Sequence, residues 1–235
     1  MKRFFIFIGT LVVIVAILSE VVLPQILTGM LKNQITKWTA SDEVSLSLDS
    51  TPRFLIVAGQ VDKVQGEVKN GRLGELETTE LMLNGEAVKV DMPAILFGAD
   101  NNKKQVEQIF KSIGKVELTG IVSEENLKNF LKEKFEQLDN VTVKMVPDEI
   151  SATANVNIMG RDADIELSGI IIADGGDLYF RMTKLNVRNT LLRHVQLDRF
   201  FGDIKIVDGN KMPIGLKFES IEMQDGQTVL KAVRN

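Results

Sequence analysis

Residues 150–171, ISATANVNIMGRDADIELSGII, decide the fold. Ile150, Ala152, Ala154, Val156 and Ile158 recur at every second position. A period of two sends alternate side chains to opposite faces of a strand, so these five share one apolar face. Gly160-Arg161-Asp162 reads as a turn, after which Ala163, Ile165, Leu167, Gly169 and Ile171 resume the same rhythm. Strands this long are unusual in a small domain and predict a large sheet.

The pattern extends in both directions. Toward the C-terminus, Asp174-Gly175-Gly176-Asp177 has hairpin-turn chemistry, and Leu178, Phe180 and Met182 lead out of it. A short helix is expected near 191–201, before Leu216, Phe218, Ile221 and Met223, a turn at Asp225-Gly226, and Val229, Leu230 and Val233. Toward the N-terminus, Val141, Val143 and Met145 alternate, as do Val44, Leu46 and Leu48. Val64, Gly66 and Val68 precede a turn signal at Asn70-Gly71. Leu81 and Leu83 run into Asn84-Gly85, and Val88, Val90 and Met92 run out, as a hairpin or as one long bulged strand. Val116, Leu118, Gly120 and Val122 form a further strand, preceded by a short helix expected through Val106, Ile109, Phe110 and Ile113.

Helical spacing dominates in two places. Ile26, Leu27, Met30, Leu31, Ile35 and Trp38 recur at intervals of three and four after Pro24, which suits a first turn. That stripe fits packing on a sheet or lying along a membrane surface. Ser123 is a good N-cap for a second helix whose stripe is Leu127, Phe130, Leu131, Phe135 and Leu138. The expected architecture is therefore α+β: one long, curved, mostly antiparallel sheet wrapped on one or two amphipathic helices, with an apolar space between them. No stretch is rich enough in Pro, Gly or Ser to serve as a linker, so residues 24–235 are expected to form a single domain.

Residues 1–23 read differently. Lys2 and Arg3 precede Phe4–Leu18, which has no charged residue, and a second apolar patch reaches Leu23. This is the layout of a signal anchor or signal peptide. It predicts an N-terminal membrane-anchor helix, with Lys2 and Arg3 on the cytoplasmic side and the body outside, periplasmic if the cell has two membranes.

The composition excludes several chemistries. Cys is absent and His occurs once, at His194, so thiolate catalysis, disulfides and Cys- or His-rich metal centres have no residues to use. The net charge is −4. The chain has no global basic field for nucleic acid, and simple attraction to anionic lipid is not its main means of docking. No nucleophile elbow, phosphate loop or zinc-protease motif occurs. Asp162, Asp164 and Glu166 share one strand face, which reads as a solvated face more readily than as an oxygen-ligand cation site. No enzyme activity, cofactor or metal is expected. Twelve Phe and several long apolar runs remain, and apolar concave interiors are where acyl chains bind.

The chain resembles the LmeA-like phospholipid-binding family of bacterial envelope proteins. The resemblance is carried by the apolar N-terminus running into Leu23-Pro24 and by Thr51–Gly59 with the strand Val64 to Gly71. Leu81–Asp91, the strand-to-helix junction Leu118–Leu131 and the closing Met212–Leu216 with Asp225-Gly226 complete it. It implies a non-catalytic exported lipid binder, with a fold similar to tubular lipid-binding domains and a role in holding or shuttling phospholipid. On that reading the expected cavity wall is Leu127, Phe130, Leu131 and Phe135 from the second helix, with Phe54, Ile56 and Phe97 from the sheet. The competing expectation is a solid-cored structural or adaptor protein that contacts another envelope protein through a sheet edge.

Overall fold

The computed structural model describes residues 23–93, 110–158, 161–187 and 203–234. Helix α1 (Leu23–Thr39) opens the described chain. It stops where the Thr39 hydroxyl donates to the Ile35 carbonyl (2.8 Å) and Ala40 turns left-handed at φ 52°. The Ser41 hydroxyl then donates to the Lys69 carbonyl and accepts the Glu43 amide. This satisfies two buried polar residues and delivers the chain into strand β1 (Val44–Asp49).

A 3-10 turn (Arg53–Ala58) follows, then β2 (Gln60–Leu73) and β3 (Leu76–Val90). Asn70-Gly71 does not turn the chain. Lys69 pairs with Glu80 and Gly71 with Thr78, so Asn70, at φ 51°, is an irregularity inside β2, and the chain reverses at Gly74-Glu75. Asn84-Gly85 likewise lies within one long strand, whose irregularity is at Ala87 (φ 53°). Phe110–Ser112, expected as helix, forms the short strand β4 on the end of β3. The rest of that expected helix lies outside the described residues.

Next come β5 (Val116–Ser123) and helix α2 (Glu124–Lys134). Ser123 and Asn126 cap the helix reciprocally: the Ser123 hydroxyl accepts the Asn126 amide (3.3 Å), and Asn126 Oδ1 accepts the Ser123 amide (3.0 Å). Four antiparallel strands follow: β6 (Leu138–Val146), β7 (Glu149–Ile158), β8 (Arg161–Asp174) and β9 (Asp177–Val187). The Gly175-Gly176 turn has φ of 60° and 90°, conformations that glycine adopts without steric cost. Arg161 and Asp162 already belong to β8, paired with Ile158 and Asn157. The helix expected near 191–201, with His194, lies outside the described residues. β10 (Asp203–Val207), 3-10 turns at Gly209–Lys211 and Pro213–Gly215, β11 (Lys217–Gln224) and β12 (Gln227–Arg234) complete the chain.

These strands build two open sheets. One has seven strands in the order β1-β2-β3-β5-β12-β11 with β4 beside β3, and the other runs β10-β9-β8-β7-β6. This corrects the expectation of one long curved sheet wrapped on helices. The division falls at α2, which carries the chain away from β5 so that β6 starts a new sheet. The vacated edge of β5 is taken by β12 along its full length, from Gln227↔Ser123 to Arg234↔Val116. Neither sheet closes on itself.

The two sheets are joined by packing and by their turns. β11 lies against β8. The Phe218 amide donates to the Gly176 carbonyl (3.2 Å), and the Gly226 amide donates to the Met145 carbonyl (3.1 Å). One core takes Leu81, Leu118 and Leu230 from the larger sheet, Met145, Ile150 and Leu178 from the smaller, and Leu127 and Phe130 from α2. A second, smaller cluster gathers Leu27, Ile56, Val61, Val64, Val88, Val90 and Met92.

The expected membrane-anchor helix is also corrected, and with it the membrane as a partner and the placement of the body as anchored to the cytoplasmic membrane. Among the described residues no helix is long and apolar enough to cross a membrane. The 17 residues of α1 span roughly 25 Å at 1.5 Å per residue, and they include Lys32 and Lys37. The segment on which that expectation rested, residues 1–22, lies outside the described residues.

Candidate functional site

A cleft of about 90 Å³ lies between α1, the inner face of the larger sheet and the Pro213–Gly215 turn. Its roof is helical: Leu31, Gln34, Ile35 and Trp38 follow one another at three- and four-residue spacing, which places them on one face. Its floor is on the sheet, where Val64, Gly85 and Val116 of one row line it together with Leu46, Leu83 and Val88. Leu48 pairs with Val64, Val64 with Gly85, Gly85 with Val116, and Val116 with Arg234. Residues directly opposite in an antiparallel ladder point to the same side, so this row faces the helix as a unit.

Gly85 explains why there is space. It sits in mid-row between two valines and contributes no side chain. A Cβ built there would meet Val64 Cβ at 3.5 Å and Val116 Cγ2 at 3.9 Å, which are ordinary contacts. The cleft is therefore a missing side chain beneath a helix, not a strained gap. Phe110, Ile113 and Ile214 add to its lining. Apart from the Gln34 amide, its wall is apolar, which suits a hydrocarbon and offers no general base or nucleophile.

The α2 stripe is elsewhere. Leu127, Phe130 and Leu131 are buried in the large core, and Phe135 packs partly buried against it. The gap beside Leu127, Phe130 and Leu131 amounts to about 10 Å³, roughly the least that holds one water. Ile56 is buried in the second cluster, away from α2. Phe54 lies on the 3-10 turn, with its side chain undescribed, and Phe97 lies outside the described residues. The described members of the expected wall therefore divide between two cores. The α1 stripe, by contrast, was visible as an amphipathic pattern, but Ile26 from it is 39% exposed while Leu31, Ile35 and Trp38 cover the cleft. Gly85 resembled turn chemistry because it follows Asn84, which concealed its place in the floor.

Several charged groups of the described chain serve as fasteners. Arg72 bridges Glu77 (2.8 Å) and Glu133 (3.1 Å), while Asn129 donates to the other Glu77 oxygen, tying α2 to the β2–β3 hairpin. The Arg72 and Asn129 hydrogen bonds hold the Glu77 carboxyl below the usual carboxylate range. Asp177 accepts from Lys205 (2.6 Å), the Gly209 amide (2.8 Å) and the Tyr179 hydroxyl (3.0 Å). Lys205 first, and then the Gly209 amide, lower its pKa. Asp164 accepts from Asn155 and Glu166 from Asn186 across the neighbouring strands, and the side chain of Asp162 is undescribed. Among the described residues no group of three or more His, Asp or Glu comes together as a metal site.

The described chain thus combines two sheets with a helix over an apolar cleft. The model of the LmeA-like phospholipid-binding family matches residues 18–232, nearly the whole chain, and the protein belongs to that family. The family is one of non-catalytic lipid binders. No curated protein and no solved structure matches the chain.

Proposed function

We propose that the protein holds or shuttles phospholipid by seating part of an acyl chain in the cleft beneath α1. The observation that carries this reading is the cleft itself, apolar except at Gln34 and built around the absent side chain of Gly85. Transfer of each methylene from water into such a wall is worth about 0.8 kcal/mol, so a short stretch of chain suffices for measurable retention. A cleft of about 90 Å³ is several times the space one water needs and far less than a whole lipid requires. It therefore takes a segment of one chain, and the rest of the molecule lies outside it or displaces α1.

The test is native and denaturing mass spectrometry of the full chain with lipid extraction, before and after incubation with phospholipid vesicles. Stoichiometric phospholipid on the folded protein is the expected result. A folded protein that carries no lipid and takes none up sinks the proposal and favours the solid-cored adaptor.

A further inference from the structure

The core-facing positions of β12 are Thr228, Leu230, Ala232 and Arg234. The first three are at most 1% exposed. The fourth is a cation, placed where the alternation calls for an apolar residue. Arg234 pairs with Val116 and so extends the row Val64–Gly85–Val116 one position beyond the cleft's lining.

Its guanidinium is only partly engaged. Nη1 donates to the Ile214 carbonyl. Ile214 lines the cleft and is itself left-handed at φ 51°, an outlier for a β-branched residue. Conformations of this kind persist where surrounding contacts hold them and cluster at ligand clamps. Among the described residues no carboxylate pairs with Arg234. A guanidinium has five N–H donors in a planar fork, so most of its capacity is unspent.

A cation with no carboxylate partner among the described residues, bonded to a lining residue of an apolar trough, matches one kind of molecule: a hydrocarbon chain followed by an anionic oxygen group. Arginine's fork fits phosphate oxygens two at a time. We propose that Arg234 binds the phosphate of the lipid whose acyl chain occupies the cleft. This rests on the reading of the cleft given above and adds the headgroup end of the site.

The experiment offers the full chain vesicles of dioleoyl phosphatidylglycerol doped with dioleoylglycerol, which has the same chains and no phosphate. Bound lipid is extracted and the ratio of the two species is read by mass spectrometry. The wild-type protein is expected to enrich the phospholipid. R234Q is expected to lower that enrichment about tenfold, the size of one charge-assisted hydrogen bond, while still carrying lipid. R234K, which keeps the charge, is expected to retain most of the enrichment.

An unchanged ratio in R234Q overturns the proposal. So does a folded R234Q that loses both lipids together, because Arg234 would then act only as the clamp on Ile214. Inorganic phosphate alone is the third arm: a rise in Tm that R234Q abolishes would assign the site to free phosphate instead. Gly85→Leu separates the two levels of the argument. It is expected to exclude both lipids, and if it carries both at the wild-type ratio the cleft reading fails whatever R234Q does.

Discussion

Gly85 and Ser123 show how much a single position can carry. At Gly85 the chain omits a side chain, and the row Val64–Gly85–Val116 opens beneath α1. Because a Cβ there meets only ordinary contacts, Gly85→Leu is expected to fold, to shift Tm by a few degrees at most and to reduce extracted phospholipid at least tenfold. Thermal denaturation and lipid extraction on the same preparation check both halves. At Ser123 the side chain satisfies one of the amides that a helix start leaves unpaired. Ser123→Ala is expected to cost about 1 kcal/mol in denaturant titration. It leaves lipid retention unchanged, since the cap lies outside the cleft wall.

The two helices do different work. α2 is held from both ends: its Glu124 accepts the Met145 amide of β6 (2.8 Å), and Glu133 and Lys134 pair with Arg72 and Glu75 of the β2–β3 hairpin. Its apolar side is consumed by the shared core. Phe130→Ala is therefore expected to destabilise by about 3–5 kcal/mol, as for other buried aromatics cut back to alanine. α1 is attached less evenly. Leu27 is buried in the smaller cluster, while Leu31, Ile35 and Trp38 cover the cleft and are only half-buried. Ile35 and Trp38 also pack against the large core, so α1 is held at both clusters and only its cleft-facing side is open to a ligand. Hydrogen exchange is expected to show α1 amides protected more strongly when phospholipid is bound, with α2 amides little changed.

At the scale of the whole molecule, a single core built from both sheets predicts a single unfolding transition. Probes on Trp38, over the larger sheet, and on Tyr179, in the smaller, are expected to report the same denaturant midpoint. Two midpoints would mean that the sheets fold separately. The pH response follows from the fasteners. Glu75, Glu77, Asp177 and Asp203 have folded-state pKa values below their ordinary ones, each chiefly through a hydrogen bond from its cationic partner. Their stabilisation is complete above the unfolded carboxylate range, near pH 4, and is lost as pH falls through the lowered values. Arg72, Arg181, Lys205 and Tyr179 are shifted upward, so their contribution is lost only in strong alkali. Stability is thus expected to be level from about pH 5 to 9 and to fall in acid, and Asp177→Asn is expected to flatten the acid limb. Denaturant midpoints across the pH range measure it.

Alternation, spacing and turn chemistry alone determined most of the strands, the Gly175-Gly176 and Asp225-Gly226 reversals, the capped α2 and the amphipathic α1, while the likeness to a phospholipid-binding family rested on segments that resemble that family in order along the chain. These elements are local properties, written within a few residues of each other. A period of two reports which face a side chain occupies; it does not report which strand lies beside it. Only the tertiary structure decided that β12 takes the edge of β5, that β6–β10 form a second sheet, and that Asn70 and Gly85 lie inside strands instead of turning them. The site depended on those pairings. Gly85, Val116 and Arg234 are far apart in the chain and become one row only through the register of three strands. A cleft is the absence of a side chain at a place defined by its neighbours, and those neighbours are set by long-range pairing.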